Sequence, residues 1–259
     1  MFEKFFGKGF VPEIWKLANI KPILKSGDSS LPHNYRPISV TCVLSKTMES
    51  IIRDQMLEYL HRNKLISKQQ HGFLSRRSTC TQLLESLEDW SMQLRSGKSV
   101  NVVYVDFEKA FDSVVHSKLL AKLESYGVQY ELHKWISEFL CDRRQRVFVG
   151  SGMSETYPVR SGVIQGSVLG TLLFLLFVND VCDIFSHPVR TKLFADDVKL
   201  YSTVDTQADA EQLSKALIDL ENWARIWQLK INEKKSAVMH FGNKNPLMGH
   251  WRHPPTKSG

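Results

Sequence analysis

Cysteine is scarce and scattered: the four in the 259-residue chain, Cys42, Cys80, Cys141 and Cys182, include no CxxC pair. Neither a disulfide framework nor a zinc site is built that way, so the pattern is that of a reduced, intracellular protein. Histidine is no better organised. The nine histidines contain no HExxH, and His250 with His253 form a pair without an obvious third ligand. Long apolar runs are missing too: the most apolar stretch, Val168 to Val178, falls short of the ~20 residues a membrane span needs. The opening MFEKFFGKGF is interrupted by Glu3, Lys4 and Lys8 and makes a poor signal peptide. There is no internal repeat. What remains is globular in composition, with 42% hydrophobic and 24% charged residues. Thirty-four Lys and Arg against 27 Asp and Glu leave a net charge of +7, which suits a polyanionic partner such as nucleic acid.

Punctuation by Pro12, Pro22, Gly27 and Pro32 breaks up the first stretch, with a turn at 25–28. Apolar spacing then predicts a helix from Leu44, carrying Met48, Ile51, Ile52, Met56, Tyr59 and Leu60. A second helix should open on a capping box of Thr79 and Gln82, bury Leu83, Leu87, Trp90 and Leu94, and close at Gly97. The period changes at 100–107, a β-branched and aromatic run that reads as a strand buried on both faces. Helices are expected over 117–126 and 131–140, and a hairpin of 146–149 with 156–160. A core helix should follow over 168–178, then a β-hairpin over 190–201 around Ala195-Asp-Asp197. An amphipathic helix fits 207–228 with Leu213, Leu217, Leu220, Ala224 and Trp227 inward, and a last strand fits 236–241. From Gly242 a Pro-containing basic tail reads as unstructured. Helices on one side and short strands drawn together from far apart indicate an α+β fold.

Asp106 ends the buried strand, and Asp196 and Asp197 sit at a hairpin tip. Acids belong in turns, so a solvated tip is the simpler reading of the pair. If the strands are neighbours, however, three carboxylates meet. Two unit charges about 4 Å apart repel by ~4 kcal/mol at an effective dielectric of about 20. A divalent cation removes that repulsion, and magnesium favours carboxylates plus substrate phosphates. Nucleotidyl transfer follows as a hypothesis from the acids alone.

Three segments then become informative together: Tyr104-Val-Asp106-Phe-Glu-Lys-Ala-Phe-Asp112, Gly162-Val-Ile-Gln-Gly166-Ser-Val-Leu-Gly170 and Phe194-Ala-Asp-Asp197. They resemble successive motifs of reverse transcriptases, above all those of non-LTR, LINE-like (jockey-type) retrotransposons. Upstream, Asn34-Tyr-Arg-Pro-Ile-Ser39 and Gln70-His-Gly-Phe73 with Arg77-Ser-Thr79 are similar to that family's finger motifs. Downstream, Trp227-Gln-Leu-Lys-Ile-Asn232 and Lys235 resemble the segment closing the palm. The likeness runs from about residue 10 to 241.

The resemblance implies right-hand polymerase fingers and palm, with an antiparallel palm sheet and packed helices. Fingers would occupy 1–97 and the palm 98–241, with a finger-like insertion at about 117–160 and a disordered tail at 242–259. It implies RNA-directed DNA polymerase activity on an RNA template, a DNA primer and dNTP, with two Mg2+ ions or Mn2+ in their place. Asp106 and Asp196 would hold both metals and Asp197 would complete the cluster. Phe111 stands where the family's aromatic gate excludes a ribose 2′-OH; a plain core Phe is the alternative. Gln165 and Gly166 would lie against nucleotide and template. Arg36 and Lys25 would pair with the triphosphate, or else be ordinary surface charges. Lys235 matches a proposed proton donor to pyrophosphate, or is a solvated lysine.

Thr171 departs from the family's usual proline. The chain is also expected to begin inside the fingers and to lack a thumb, as a fragment of a mobile element would. Two other functions compete. A three-carboxylate nuclease accounts for the acids but not for Phe111, Arg36 or the Gln165 loop. A non-catalytic nucleic-acid-binding remnant would bind without turnover.

Overall fold

A computed structural model describes residues 2–243; the expected tail beyond them, with His250 and His253, lies outside the described residues. In chain order the first elements are α1 (Phe2–Lys8), α2 (Glu13–Lys16), β1 (Leu17–Leu24), β2 (Tyr35–Val40) and α3 (Val43–Arg62). Next come α4 (Thr79–Arg95), β3 (Val100–Val105), α5 (His116–Ser125), α6 (Tyr130–Leu140) and β4 (Arg144–Val149). The short strands β5 (Gly152–Met153) and β6 (Tyr157–Pro158) precede α7 (Val168–Val178). The hairpin β7 (Arg190–Phe194) and β8 (Asp197–Thr203), then α8 (Gln207–Trp227) and β9 (Ala237–Phe241), complete the order. The α+β class holds, with an antiparallel sheet packed by helices. Among the described residues no helix is long and apolar enough to cross a membrane.

Two compact units form, each from two stretches of sequence: Met1–Ile66 with Lys109–Phe177, and Ser67–Glu108 with the chain from Val178. In the first, β1 pairs antiparallel with β2 and parallel with β4, so residues 17–20 meet 144–147. The hairpin partners β5 and β6 both add to β4. The core of this unit is aromatic and aliphatic: Trp135, Phe139, Phe174, Leu119 and Leu123 are fully buried. α7 is apolar on every side, which is why it is buried rather than half-exposed. Its N-terminus is capped from afar, because the fully buried Glu49 on α3 accepts the Val168 and Leu169 N–H groups at 2.8 and 3.1 Å. That satisfies two of the orphan donors every helix start leaves. Buried Arg143 ties the unit further by donating to the Phe139 and Trp15 carbonyls. Burial brings its pKa down to about 10, against the pull of Glu49.

The second unit is built on the sheet β7-β8-β3-β9, antiparallel throughout. β3 lies between β8 and β9 and has five of its six residues buried, as its apolar run predicts. α4 covers the face carrying Val100, Val102 and Tyr201, with Trp90 stacked on Phe241 at 5.3 Å.

Three local expectations need correction. The α4 box uses Ser78 and Thr81, one residue earlier than Thr79 and Gln82. More telling, α4 buries Gln82, Ser86 and Trp90 and leaves Leu83, Leu87 and Leu94 exposed. The sheet explains the rotation. Buried Lys199 on β8 must bond Gln82 Oε1 and Ser86 Oγ, both at 3.3 Å, while Tyr201 and Arg190 bond Asp89 and Lys192 bonds Glu85. Leaving those groups unpaired costs more than exposing leucines. On α8, Trp223 rather than Trp227 is the buried tryptophan, its indole donating to Asp180 at 3.2 Å.

Candidate active site

The register of the second unit decides where the acids lie. β3 and β8 pair Val105 with Val198, so the next positions along the two strands are Asp106 and Asp197. β7 pairs Phe194 with Asp197, and Ala195-Asp196 make the tight turn between them. Ala195 takes a left-handed φ of 56°. A neighbouring segment holds it there. The fully buried Gln70 accepts the Ala195 N–H at 3.0 Å and the Gly72 N–H at 2.7 Å through one oxygen, Oε1. His71 and Gln69 bond Leu193 from the same side, extending the β7 edge. A side chain on Gly72 would stand 2.3 Å from the Ala195 nitrogen, so only glycine fits.

Asp106 is held differently. Asn232 donates its backbone N–H to the Asp106 carbonyl at 2.8 Å and its Nδ2 to Oδ2 at 3.0 Å. Lys235 Nζ approaches the same oxygen at 3.6 Å, with its side chain still largely exposed. Burial raises the Asp196 pKa, and the charges of Asp197 and Asp106 push it further up, against Lys235. Burial is the larger cause, and repulsion from the two neighbouring carboxylates adds to it. Hard oxygen donors repelling one another fit a divalent cation in their chemistry. Among the described residues, however, no group of three or more His, Cys, Asp or Glu residues is arranged to hold an ion. A cavity of about 420 Å³ adjoins Asp106 and Asp197, with Tyr104, Leu83, Lys199 and Lys235 among its walls.

The other candidates belong to the first unit. Arg36 is exposed on β2 opposite Ile23, and Lys25 follows the end of β1, its N–H on the Asn34 carbonyl. Phe111 is half-buried, one face stacked on Phe174 of α7 at 4.2 Å. Gln165 and Gly166 sit in the loop before α7, and two neighbours grip that loop. Ser39 on β2 donates to the Gln165 carbonyl at 2.8 Å, and a side chain on Gly166 would meet the Ser39 carbonyl at 2.6 Å. Val163 N–H bonds the Phe111 carbonyl and Gly162 N–H the Val114 carbonyl, each at 2.8 Å, with Ser161 Oγ donating to Asp112 O. Gln165 Nε2 donates to Asp112 Oδ1 at 3.0 Å. Asp112 keeps an exposed edge, yet the protein around its carboxyl raises its pKa, with the Gln165 amide and Lys109 opposing. The first unit thus fastens Arg36's strand, Phe111's segment and Gln165's loop to one another.

Sequence reasoning passed over Gln70, Gly72, Asp112 and Asn232 as individuals. All four lie inside family motifs, but their work is to hold other residues, and no composition or period reports that.

The sequence profile of the reverse transcriptase (RNA-dependent DNA polymerase) family matches residues 23–257. The chain belongs to this family. Among curated proteins, this chain is 33% identical over 241 residues to the probable RNA-directed DNA polymerase from transposon BS of Drosophila melanogaster. That match covers 88% of this chain and 26% of the relative. The RNA-directed DNA polymerase from mobile element jockey of the same organism is 30% identical, covering 94% of this chain and 27% of the relative. The jockey-type resemblance is therefore borne out. The chain spans about a quarter of the length of these relatives. Among solved structures, apo telomerase from Candida tropicalis truncated from the C-terminal domain superposes with a TM-score of 0.65 at 11% identity. It covers 92% of this chain and 53% of that one, a likeness of polymerase fold.

Proposed function

We propose that this reverse transcriptase chain synthesises DNA on an RNA template, joining dNTP to a primer 3′-OH. The observation that carries the proposal is the strand register that sets Asp106 beside Asp197, with Asp196 in the adjoining turn at one end of an antiparallel sheet and its pKa raised. The 3′-OH gives up its proton to solvent as its oxygen attacks the α-phosphorus, the bond from the α-phosphorus to the α,β-bridging oxygen breaks, and pyrophosphate leaves. Asp106 and Asp196 would hold divalent cations, with Asp197 completing the acidic set. Bound there, Mg2+ supplies Lewis-acid stabilisation of the developing phosphoryl charge. Asn232 fixes the Asp106 carboxylate, and Lys235 Nζ would deliver a proton to the departing pyrophosphate.

In the first unit, Arg36, with Lys25, would pair with the triphosphate; a guanidinium offers a fork matched to phosphate oxygens. Phe111 would exclude a 2′-OH, and Gln165 with Gly166 would line the nucleotide. The +7 charge supplies sequence-independent attraction to template and primer backbones.

Primer extension on poly(rA) with oligo(dT), with and without Mg2+, tests the reading. Asp196→Asn should abolish extension while leaving the chain folded. The same variant supplies a readout apart from activity: with a repelling charge removed, its metal-free melting temperature should equal or exceed that of wild type, and added Mg2+ should stabilise it less. Extension by Asp196→Asn at the wild-type rate would refute the site.

A further inference from the structure

The Asp112–Gln165 contact does more than fasten a loop. The loop is already tied by the bonds from Val163 to Phe111, from Gly162 to Val114 and from Ser39 to Gln165. The side-chain bond at 3.0 Å adds direction instead. A carboxylate has acceptors and no donor, so only the NH2 end of the Gln165 amide can face it. The flipped amide would set Oε1 against Oδ1, two acceptors in contact, and would lose the bond as well. Gln165 Oε1 has no hydrogen-bond partner among the described residues, and the residue is only half-buried. The amide is therefore turned one way, with its carbonyl oxygen available.

We propose that Asp112 is a positioning residue for Gln165: by holding Nε2 it makes Oε1 the presented atom, so that Gln165 accepts from an N–H or O–H of the incoming nucleotide. This rests on the polymerase reading above. Gln165 alone would present either end of its amide. With Asp112 it presents an acceptor, and a nucleotide lacking the matching donor is penalised. An asparagine in place of Asp112 would satisfy both orientations and remove the choice, although it is the same size as aspartate.

Three variants of the 259-residue chain decide it. Asp112→Asn should raise the dNTP KM about tenfold with kcat little changed, the loss expected for one misdirected hydrogen bond. Gln165→Glu should also raise KM, because two carboxylates then face each other. The double variant Asp112→Asn with Gln165→Glu should recover, since the introduced amide then donates to a carboxylate whose second oxygen still faces outward. Equal losses in kcat and KM for Asp112→Asn, or no recovery in the double variant, would overturn the proposal. A second readout does not need turnover: the 15N side-chain amide signal of Gln165, identified by its loss in Gln165→Glu. It should shift in Asp112→Asn and respond to dATP in wild type. A wild-type chain that extends no primer refutes the polymerase reading. An amide signal indifferent to both Asp112→Asn and dATP refutes the positioning role.

Discussion

Gly72 and Ala195 touch so closely that a methyl group on the glycine would stand 2.3 Å from the alanine nitrogen. A small residue from a distant motif thereby sets the turn that carries Asp196. Gln70 completes the brace with one oxygen serving two N–H groups. Gly72→Ala must push the turn aside, and overpacking of this kind costs about 1–3 kcal/mol. The expected outcome is a lowered melting temperature together with a loss of primer extension larger than the stability loss explains. Extension at the wild-type rate in a folded Gly72→Ala chain would show that the turn has room to move.

Phe111 offers a test of the gate against the core. Its ring lies flat on Phe174 at 4.2 Å yet stays half-buried, so one face is packed while the ring is not enclosed. Phe111→Val should admit ribonucleotides, lowering the dNTP-to-rNTP preference in kcat/KM at least tenfold, and should cost some stability through lost stacking. A variant that is destabilised but keeps its sugar preference would leave Phe111 with packing alone.

The rotation of α4 makes an unusual stability pair. Leu87→Gln alters a half-exposed side chain and should stay within about 0.5 kcal/mol of wild type. Trp90→Ala removes a buried ring stacked on Phe241 and edge-on to Tyr201, and should cost about 3–5 kcal/mol. Urea unfolding of the two variants checks both values. The ordinary amphipathic reading of this helix makes Leu87 costly as well.

His71 is buried, and burial lowers its pKa below the ordinary 6.5 despite the carboxylate of Glu85 at 3.4 Å. The unfolded chain takes up the proton near pH 6.5; the folded chain does so only at lower pH. The folded state is thus favoured in full above that value and loses stability as pH falls through the depressed folded pKa. Urea midpoints measured from about pH 7.5 to about pH 5 should fall, and His71→Gln should flatten the part of the slope that His71 supplies. An identical slope in His71→Gln would place the acid sensitivity elsewhere.

The elements that the sequence displayed best were those whose side chains decide matters locally. The apolar run of β3, the all-apolar α7 and the hairpin around Asp196 could be read residue by residue, and the antiparallel register brings Asp106 beside Asp197. α4 could not be read that way, because its rotation answers to Lys199 and Tyr201 on β8, about a hundred residues later. The parallel pairing of β1 with β4 was equally hidden, since nothing in either strand names a partner so far along the chain. Gln70 read as one residue of a motif, and its task of bracing a distant turn appears only in three dimensions.

The interleaving of the two units has a consequence for synthesis on the ribosome. Residues 1–66 emerge with β1 still lacking β4, and then wait while 67–108, which belong to the other unit, are made. Only after Phe177 has been added does the first unit hold all of its sequence, and β3 must wait longer still for β8 and β9. At about 5–20 residues per second this leaves an open strand edge exposed for several seconds. Neither sheet can be completed until the last of its strands has been made.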